Sequence, residues 1–129
     1  MEFELFIKSR LRPLWDRAIL KSVHLISNTK FMRVIAIKRL RDFWEGGNAD
    51  SEQPLKVWYQ ILKQNNFYTP NEIKRLFSTC SFLGDNRVVF NISGNKYRSI
   101  IHIRYEMQII YIRFIGTHAE YDKINAKEV

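Results

Sequence analysis

Apolar residues recur at helical spacing in two stretches of the first half of the chain. A short apolar run at 33–36 predicts a strand before them. The first helical stretch ends at Gly46-Gly47, and the second lies within 51–64. The residues expected to face a core are spaced by three or four positions: Ile37, Leu40, Phe43 and Trp44 in the first helix, and Leu55, Trp58, Tyr59, Ile61 and Leu62 in the second.

A third, shorter helix is indicated by its N-terminal signal. Thr69 and Glu72 have the spacing of a capping box, and Pro70 stands at the first helical position. The helix should end near Phe77.

The second half of the chain changes to the alternating pattern of strands. Three strands are predicted at 87–92, 97–105 and 109–115. Turn residues separate the first two, and a tight connection at 106–108 separates the last two. A strand, helices, an antiparallel meander and a final helical piece predict an α+β fold, with an antiparallel sheet packed on one face by N-terminal helices and a short C-terminal helix.

Alternation along the strands also predicts two different sheet faces. One is apolar, and Phe114 should share it with Ile110 and Ile112, while Ile115 should lie on the other face. The second face, which we call the basic face, would carry Arg87, Asn91, Arg98, His102, Arg104 and Arg113. It is either a binding surface or simply the solvated side of a one-sided sheet.

The N-terminal segment, residues 1–31, stands apart from this domain. It carries a helical apolar stripe formed by Trp15, Ala18, Ile19, Val23 and Ile26. It is either an additional docking helix or upstream sequence translated from an earlier start. We favour the second, because residues 32–129 resemble a complete domain that opens at Met32.

Composition narrows the class of protein. The 129 residues suit one domain, and the formal net charge of +8 favours an anionic partner such as a phosphate backbone. A single cysteine, Cys80, rules out an internal disulfide and fits a reducing compartment. Neither a signal peptide nor an apolar run of membrane-spanning length is found, so we expect a cytoplasmic protein with no membrane partner.

The stretch GTHAEYD at 116–122 combines a helix start with reactive groups. Thr117 and Glu120 have capping-box spacing, which requires no function. His118 and Tyr121 are three residues apart and project from one side of the same turn, directly after the strand that bears Arg113. His118 is therefore either a surface or capping residue or a catalytic group beside a bound phosphate.

Those residue types suit metal-free cleavage of RNA. Attack by a 2′-OH on the neighbouring phosphorus needs a base, an acid and cations for the developing charge. Histidine serves as acid or base near neutral pH, and arginine matches phosphate geometry. The sequence contains no metal-site motif and no P-loop, so we predict no metal and no cofactor.

Several runs resemble the HigB toxins of bacterial type II toxin–antitoxin systems. These are MRVIAIKRLRDFWE, PLKVWYQILK, RVVFNISGNKYRSIIHI and YIRFIGTHAEYDKI, which together span about 32–126. The resemblance implies a RelE-like fold and an mRNA interferase, an endoribonuclease that cuts messenger RNA on translating ribosomes. It also implies a HigA-like helix-turn-helix antitoxin as partner.

The resemblance also implies where to look for the site. His118 is the preferred acid or base, Tyr121 stacks on a base or assists proton transfer, and Arg98 and Arg113 hold the scissile phosphate. Asp122 orients His118 or Tyr121, or is only a carboxylate in the first helical turn. The residues expected to contact RNA are Lys96, Asn91, Asn95 and Arg104. Asn91 and Asn95 have a second interpretation, in which they only shape the turn between the strands.

Two other functions remain open at this point. The RelE-like fold also occurs in toxins that inhibit DNA gyrase, and a fold does not fix a function. An inactive toxin that only binds an antitoxin is the third possibility.

Overall fold

The computed structural model describes residues 31–129, so the helix predicted within 1–31 lies outside the described part. Its helices are α1 (Ile37–Glu45), α2 (Glu52–Lys63), α3 (Pro70–Leu76) and α4 (His118–Asp122), with a 3₁₀ turn at Ala49–Ser51. Its strands are β1 (Arg33–Ile35), β2 (Ser81–Leu83), β3 (Arg87–Ile92), β4 (Tyr97–Arg104) and β5 (Ile109–Thr117).

The strands form one sheet in the order β1-β5-β4-β3-β2. Strands β2 to β5 pair antiparallel as a meander. Strand β1 joins the edge in parallel, with Val34 opposite Ile110, so the sheet is mixed. The predicted α+β class is confirmed. The periodicity does not predict β2, because three residues are too few to alternate and Phe82 is 40% exposed.

One face of the sheet packs against the helices. Leu40 of α1 and Leu62 of α2 are fully buried with Ile101 and Ile103 of β4 in a single core. The apolar stripes set this arrangement, because each helix can bury only one side. Most of the predicted helix face is buried, and the Tyr59 side chain is half-buried.

A β-bulge in β5 changes which side chains share a face. Ile112 lies opposite Ile101 and Phe114 lies opposite the adjacent Ile100, so Arg113 is the extra residue. Ile115 packs against the helix-side core, whereas Phe114 is not part of it. The prediction for these two side chains is therefore wrong, because the extra residue reverses the alternation.

The basic face is not a uniformly solvated surface. Arg87 is only 9% exposed, and Val89 and Ile100 are buried although neither belongs to the helix-side core. The C-terminal segment reaches this face, where the main-chain oxygen of Val129 accepts hydrogen bonds from Arg87. The solvated interpretation is therefore wrong for this part of the face.

Candidate active site

The Arg98 guanidinium lies at the centre of a side-chain cluster that joins β4 to α4. Its Nη2 atom is 3.1 Å from Nε2 of His118. Its Cζ atom is 4.9 Å from the centre of the Tyr121 ring. Nη2 also lies 3.4 Å from Oδ1 of Asn95, in the turn before β4. A guanidinium from β4 and an imidazole and a phenol from α4 thus meet at one place, which we call the Arg98 cluster.

The capping box at the start of α4 fixes the helical part of this cluster. The Thr117 hydroxyl accepts a hydrogen bond from the Glu120 N–H at 3.1 Å, and the Glu120 carboxylate accepts one from the Thr117 N–H at 2.8 Å. The predicted box is confirmed. Because it sets the first turn directly after β5, His118, Tyr121 and Asp122 share one side of the helix.

Gly116 leaves the space in which this turn forms. A Cβ at this position would lie 2.5 Å from Cζ of Phe114 and 2.8 Å from the Glu120 carboxylate oxygen that takes part in the box. Any larger residue would therefore disturb the entry into α4.

The contact with arginine defines the tautomer of His118. A guanidinium can only donate, so Nε2 of His118 must accept. The ring proton then lies on Nδ1, which is 3.4 Å from Oδ2 of Asp122. The Asp122 carboxylate therefore lies on the protonated side of the ring. The basic nitrogen of the ring points toward Arg98.

Lys96 lies close to this cluster in sequence but is engaged elsewhere. Its Nζ atom pairs with the carboxylate of Asp50 in the 3₁₀ turn, and the Tyr97 hydroxyl donates to the same carboxylate at 2.6 Å. The hydrogen bonds from Lys96 and Tyr97 hold the pKa of Asp50 below its usual value. The hydrogen bond to Asp50 in turn raises the pKa of Lys96 and that of Tyr97.

The other predicted site residues lie along the basic face. Asn91 is exposed and sits opposite Arg98 across the β3–β4 pair. Arg113 occupies the bulge, with its Cζ atom 5.1 Å from the centre of the Tyr111 ring. Arg104 is at the far end of β4, where its Nε atom is 3.8 Å from Oε2 of Glu106. The structure therefore brings Asn95 and Asp122 to the Arg98 cluster, but it directs Arg113 to Tyr111 and Arg104 to Glu106.

Three contacts on or beside the basic face are not indicated by the sequence patterns. Asp50 meets Lys96 from 46 positions away, and Arg87 meets Val129 from 42 positions away. Tyr111 underlies Arg113 across the bulge. Periodicity reports which face a residue occupies, and no local signal selects a distant partner.

His102 occupies the middle of the basic face among positive charges. Burial, and after it the charge of Arg87, lowers the pKa of His102. Arg113 and Arg104 add to this lowering, and Asp85 opposes it. Within 31–129 its Nδ1 atom is buried without a hydrogen-bond partner. The folded protein thus favours the neutral ring.

The free energy of unfolding should consequently fall as the pH drops through the ordinary histidine value near 6.5. Below that value the unfolded chain binds a proton that the folded chain resists, with a slope of at most about 1.4 kcal/mol per pH unit. Urea unfolding of the wild type and of His102→Gln, from about pH 8 to about pH 5.5, measures the difference. Equal pH dependence in both proteins would contradict this assignment.

Residues 31–129 contain no group of three His, Cys, Asp or Glu side chains arranged to hold a metal ion. No helix in the same range is long and apolar enough to cross a membrane.

Comparisons of the sequence with a family model and with individual proteins indicate the same family. Residues 51–124 match the family model HigB_toxin, described as a RelE-like toxic component of a toxin-antitoxin system. The mRNA interferase HigB of Escherichia coli O6:H1 is 32% identical over 68 residues, which are 51% of this chain and 66% of that protein, just under two thirds. The mRNA interferase toxin HigB of Escherichia coli K12 is 31% identical over 97 residues, or 74% of this chain and 92% of that protein. The mRNA interferase HigB of Shigella flexneri matches to the same extent.

Proposed function

This chain belongs to the HigB toxin family, and we propose that it is the mRNA-cleaving toxin of a toxin–antitoxin pair. Its Escherichia coli and Shigella relatives are called mRNA interferases, which makes RNA the substrate class to expect. The observation that carries the proposal is the Arg98 cluster, where one guanidinium contacts both His118 and Tyr121. The proposed partner in the inactive state is a HigA-like helix-turn-helix antitoxin.

In the proposed reaction, Arg98 first binds the scissile phosphate. A phosphate oxygen is a stronger acceptor for a guanidinium than a neutral imidazole is, so the phosphate takes the Nη2 donor from His118. Within 31–129 the Nε atom of Arg98 is buried without a hydrogen-bond partner, so Nη2 is the donor that the phosphate would engage. Binding of the phosphate would thus release the lone pair on Nε2 of His118.

His118 then acts as the general base. Its Nε2 accepts the 2′-hydroxyl proton while the 2′-oxygen forms a bond to phosphorus and the bond to the 5′-oxygen breaks. The leaving oxygen is protonated by an acid, and the product carries a 2′,3′-cyclic phosphate. Arg98 stabilises the charge that develops on the phosphate oxygens, and Asp122 stabilises the imidazolium through Nδ1.

Tyr121 and the basic face complete the proposed site. The Tyr121 ring lies beside the Arg98 guanidinium and keeps it oriented, and its hydroxyl is the candidate acid for the leaving oxygen. Arg113 and Arg104 extend positive charge along the sheet away from the Arg98 cluster, where they would hold the RNA backbone on one side of the scissile bond. We propose that Asn91, Asn95 and Lys96 contact the RNA from the end of the β3–β4 pair.

Expression of the full chain in bacteria tests this function. We expect growth arrest and new 5′ ends inside the coding region of an induced reporter mRNA, mapped by primer extension. The matched control is the same reporter without a ribosome-binding site, which should stay intact if cleavage depends on translation. Co-expression of a HigA-like partner should restore growth.

Two other results would each replace the proposal. Growth arrest with an intact reporter and relaxed plasmid DNA would favour inhibition of gyrase. Expression of the folded protein without toxicity would favour a toxin-like protein that has lost its activity.

A further inference from the structure

Helix α4 carries His118 and Tyr121 but is too short to hold its own position. It has five residues, His118–Asp122, whereas isolated helices need about 12–15 residues even to be marginally stable in water. Its N-terminal end is fixed by the capping box after β5. Arg98 and Phe114 contact its Tyr121 side chain, and its C-terminal end continues directly into residues 123–129.

This segment, Lys123 to Val129, is ordered by a series of turns. The N–H groups of Lys123 and Ile124 bond back to the last turn of α4. Asn125 then organises a second turn, in which its carbonyl accepts from Glu128 and Val129 and its side chain accepts from Lys127 at 3.1 Å. We call Lys123 to Val129 the C-terminal tail.

The tail ends on Arg87, which is buried at the start of β3. Arg87 donates to the main-chain oxygen of Val129 through Nε at 3.0 Å and through Nη2 at 2.8 Å. Its Nη1 donates to Asp85 at 2.7 Å. Arg87 is 9% exposed, and three donor atoms engaged at once fix its guanidinium in one orientation.

The tail thus spans the basic face from one end of β3 to the other. Arg98 of β4 lies opposite Asn91 of β3. Arg87 lies four residues before Asn91 in β3, which corresponds to about 13 Å along the strand. Between these positions Val89 and Ile100 are buried outside the helix-side core. The tail is tied to the last turn of α4 at one end and to Arg87 at the other.

We propose that Arg87 is a positioning residue, which by holding the C-terminal tail keeps α4 in place and so sets His118 and Tyr121 against Arg98. The inference rests on the proposed function only for its effect on cleavage. Its structural part, that Arg87 orders α4, stands without it. Arg87 does not touch the Arg98 cluster, so the effect has to pass through the tail.

Hydrogen exchange and cleavage by the full chain test the proposal together. In Arg87→Gln, the amides of Glu120, Lys123, Ile124 and Val129 should exchange at least about tenfold faster, while the amides of β4 keep their protection. The rate of reporter cleavage in a translation reaction should fall roughly 10- to 100-fold in kcat with little change in the apparent KM for mRNA, because α4 is misplaced and not lost. Arg87→Lys should recover part of the amide protection and part of the lost kcat.

Two further variants keep the test decisive if Arg87→Gln does not fold. Asn125→Ala removes the acceptor for Lys127 at an exposed position and should also speed exchange and lower kcat. Asp85→Asn is the matched control, since it removes only a partner that is 77% exposed and leaves the bonds to Val129 intact. It should behave as the wild type.

The outcomes separate this inference from the proposed function. Unchanged exchange in α4 and the tail for Arg87→Gln and Asn125→Ala would overturn it, as would faster exchange with unchanged kcat. A wild-type protein that cleaves no mRNA would refute the proposed function, and exchange alone would then decide whether Arg87 orders α4.

Discussion

Replacing His118 with alanine should lower the rate of mRNA cleavage by roughly 10²- to 10⁴-fold, the range typical of a lost general base. The reason is the position of Nε2, which faces the guanidinium that would bind the scissile phosphate. Without the imidazole, the 2′-hydroxyl proton has only water to accept it. Quantitative primer extension on a reporter mRNA in a translation reaction measures the rate.

A control and a rescue sharpen this experiment. His102→Gln, assayed above about pH 7, removes a histidine from the same sheet and should cleave at close to the wild-type rate. Free imidazole added to the His118→Ala protein should restore part of the activity by entering the vacated space. Wild-type cleavage by His118→Ala would remove the imidazole from the mechanism altogether.

Replacing Arg98 should slow mRNA cleavage nearly as much as replacing His118. The planar shape of its guanidinium should matter as well as its charge. Arg98→Ala should lower kcat by roughly 10²- to 10³-fold, as expected for a donor that stabilises transition-state charge. Arg98→Lys keeps one positive charge but loses the planar fork that reaches His118, Asn95 and the Tyr121 ring together. It should therefore recover little of the lost kcat. Single-turnover cleavage measured against mRNA concentration separates kcat from KM.

Arg104→Ala and Arg113→Ala are the matched comparisons for Arg98. Both remove an arginine from the basic face, but Arg104 lies near Glu106 and Arg113 lies over Tyr111. They should raise the apparent KM with a smaller effect on kcat, because in the proposed mechanism they would bind the RNA backbone away from the reacting atoms. A loss of kcat in Arg113→Ala as large as in Arg98→Ala would return Arg113 to the catalytic centre.

Local patterns in the sequence predict the elements of this fold well. The stripe through Leu55 and Leu62 predicts α2, the Thr69 and Thr117 capping boxes mark the starts of α3 and α4, and alternation identifies β3 to β5. Each of these signals depends on a few neighbouring residues, so it can be identified without knowing the rest of the chain. The joining of Arg98 to His118 needs only the pairing of β4 with β5.

Features that depend on contacts between distant segments are not predicted by these patterns. The bulge at Arg113 reverses one alternation, and strand β1 joins the sheet edge with three residues. The pairing of Asp50 with Lys96 and of Arg87 with Val129 is chosen by the folded geometry. Charge and hydrophobicity show that such residues need partners, and they do not specify which partner is taken.

The arrangement of the cluster along the chain also bears on how such a protein is made. During translation, the strand with Arg98 leaves the ribosome first, and the helix with His118 and Tyr121 emerges only after the sheet has been completed. In the proposed mechanism, a nascent chain would therefore lack the general base until α4 has been synthesised. Cleavage by a chain still on its ribosome would have to wait for the last helix to dock against β4.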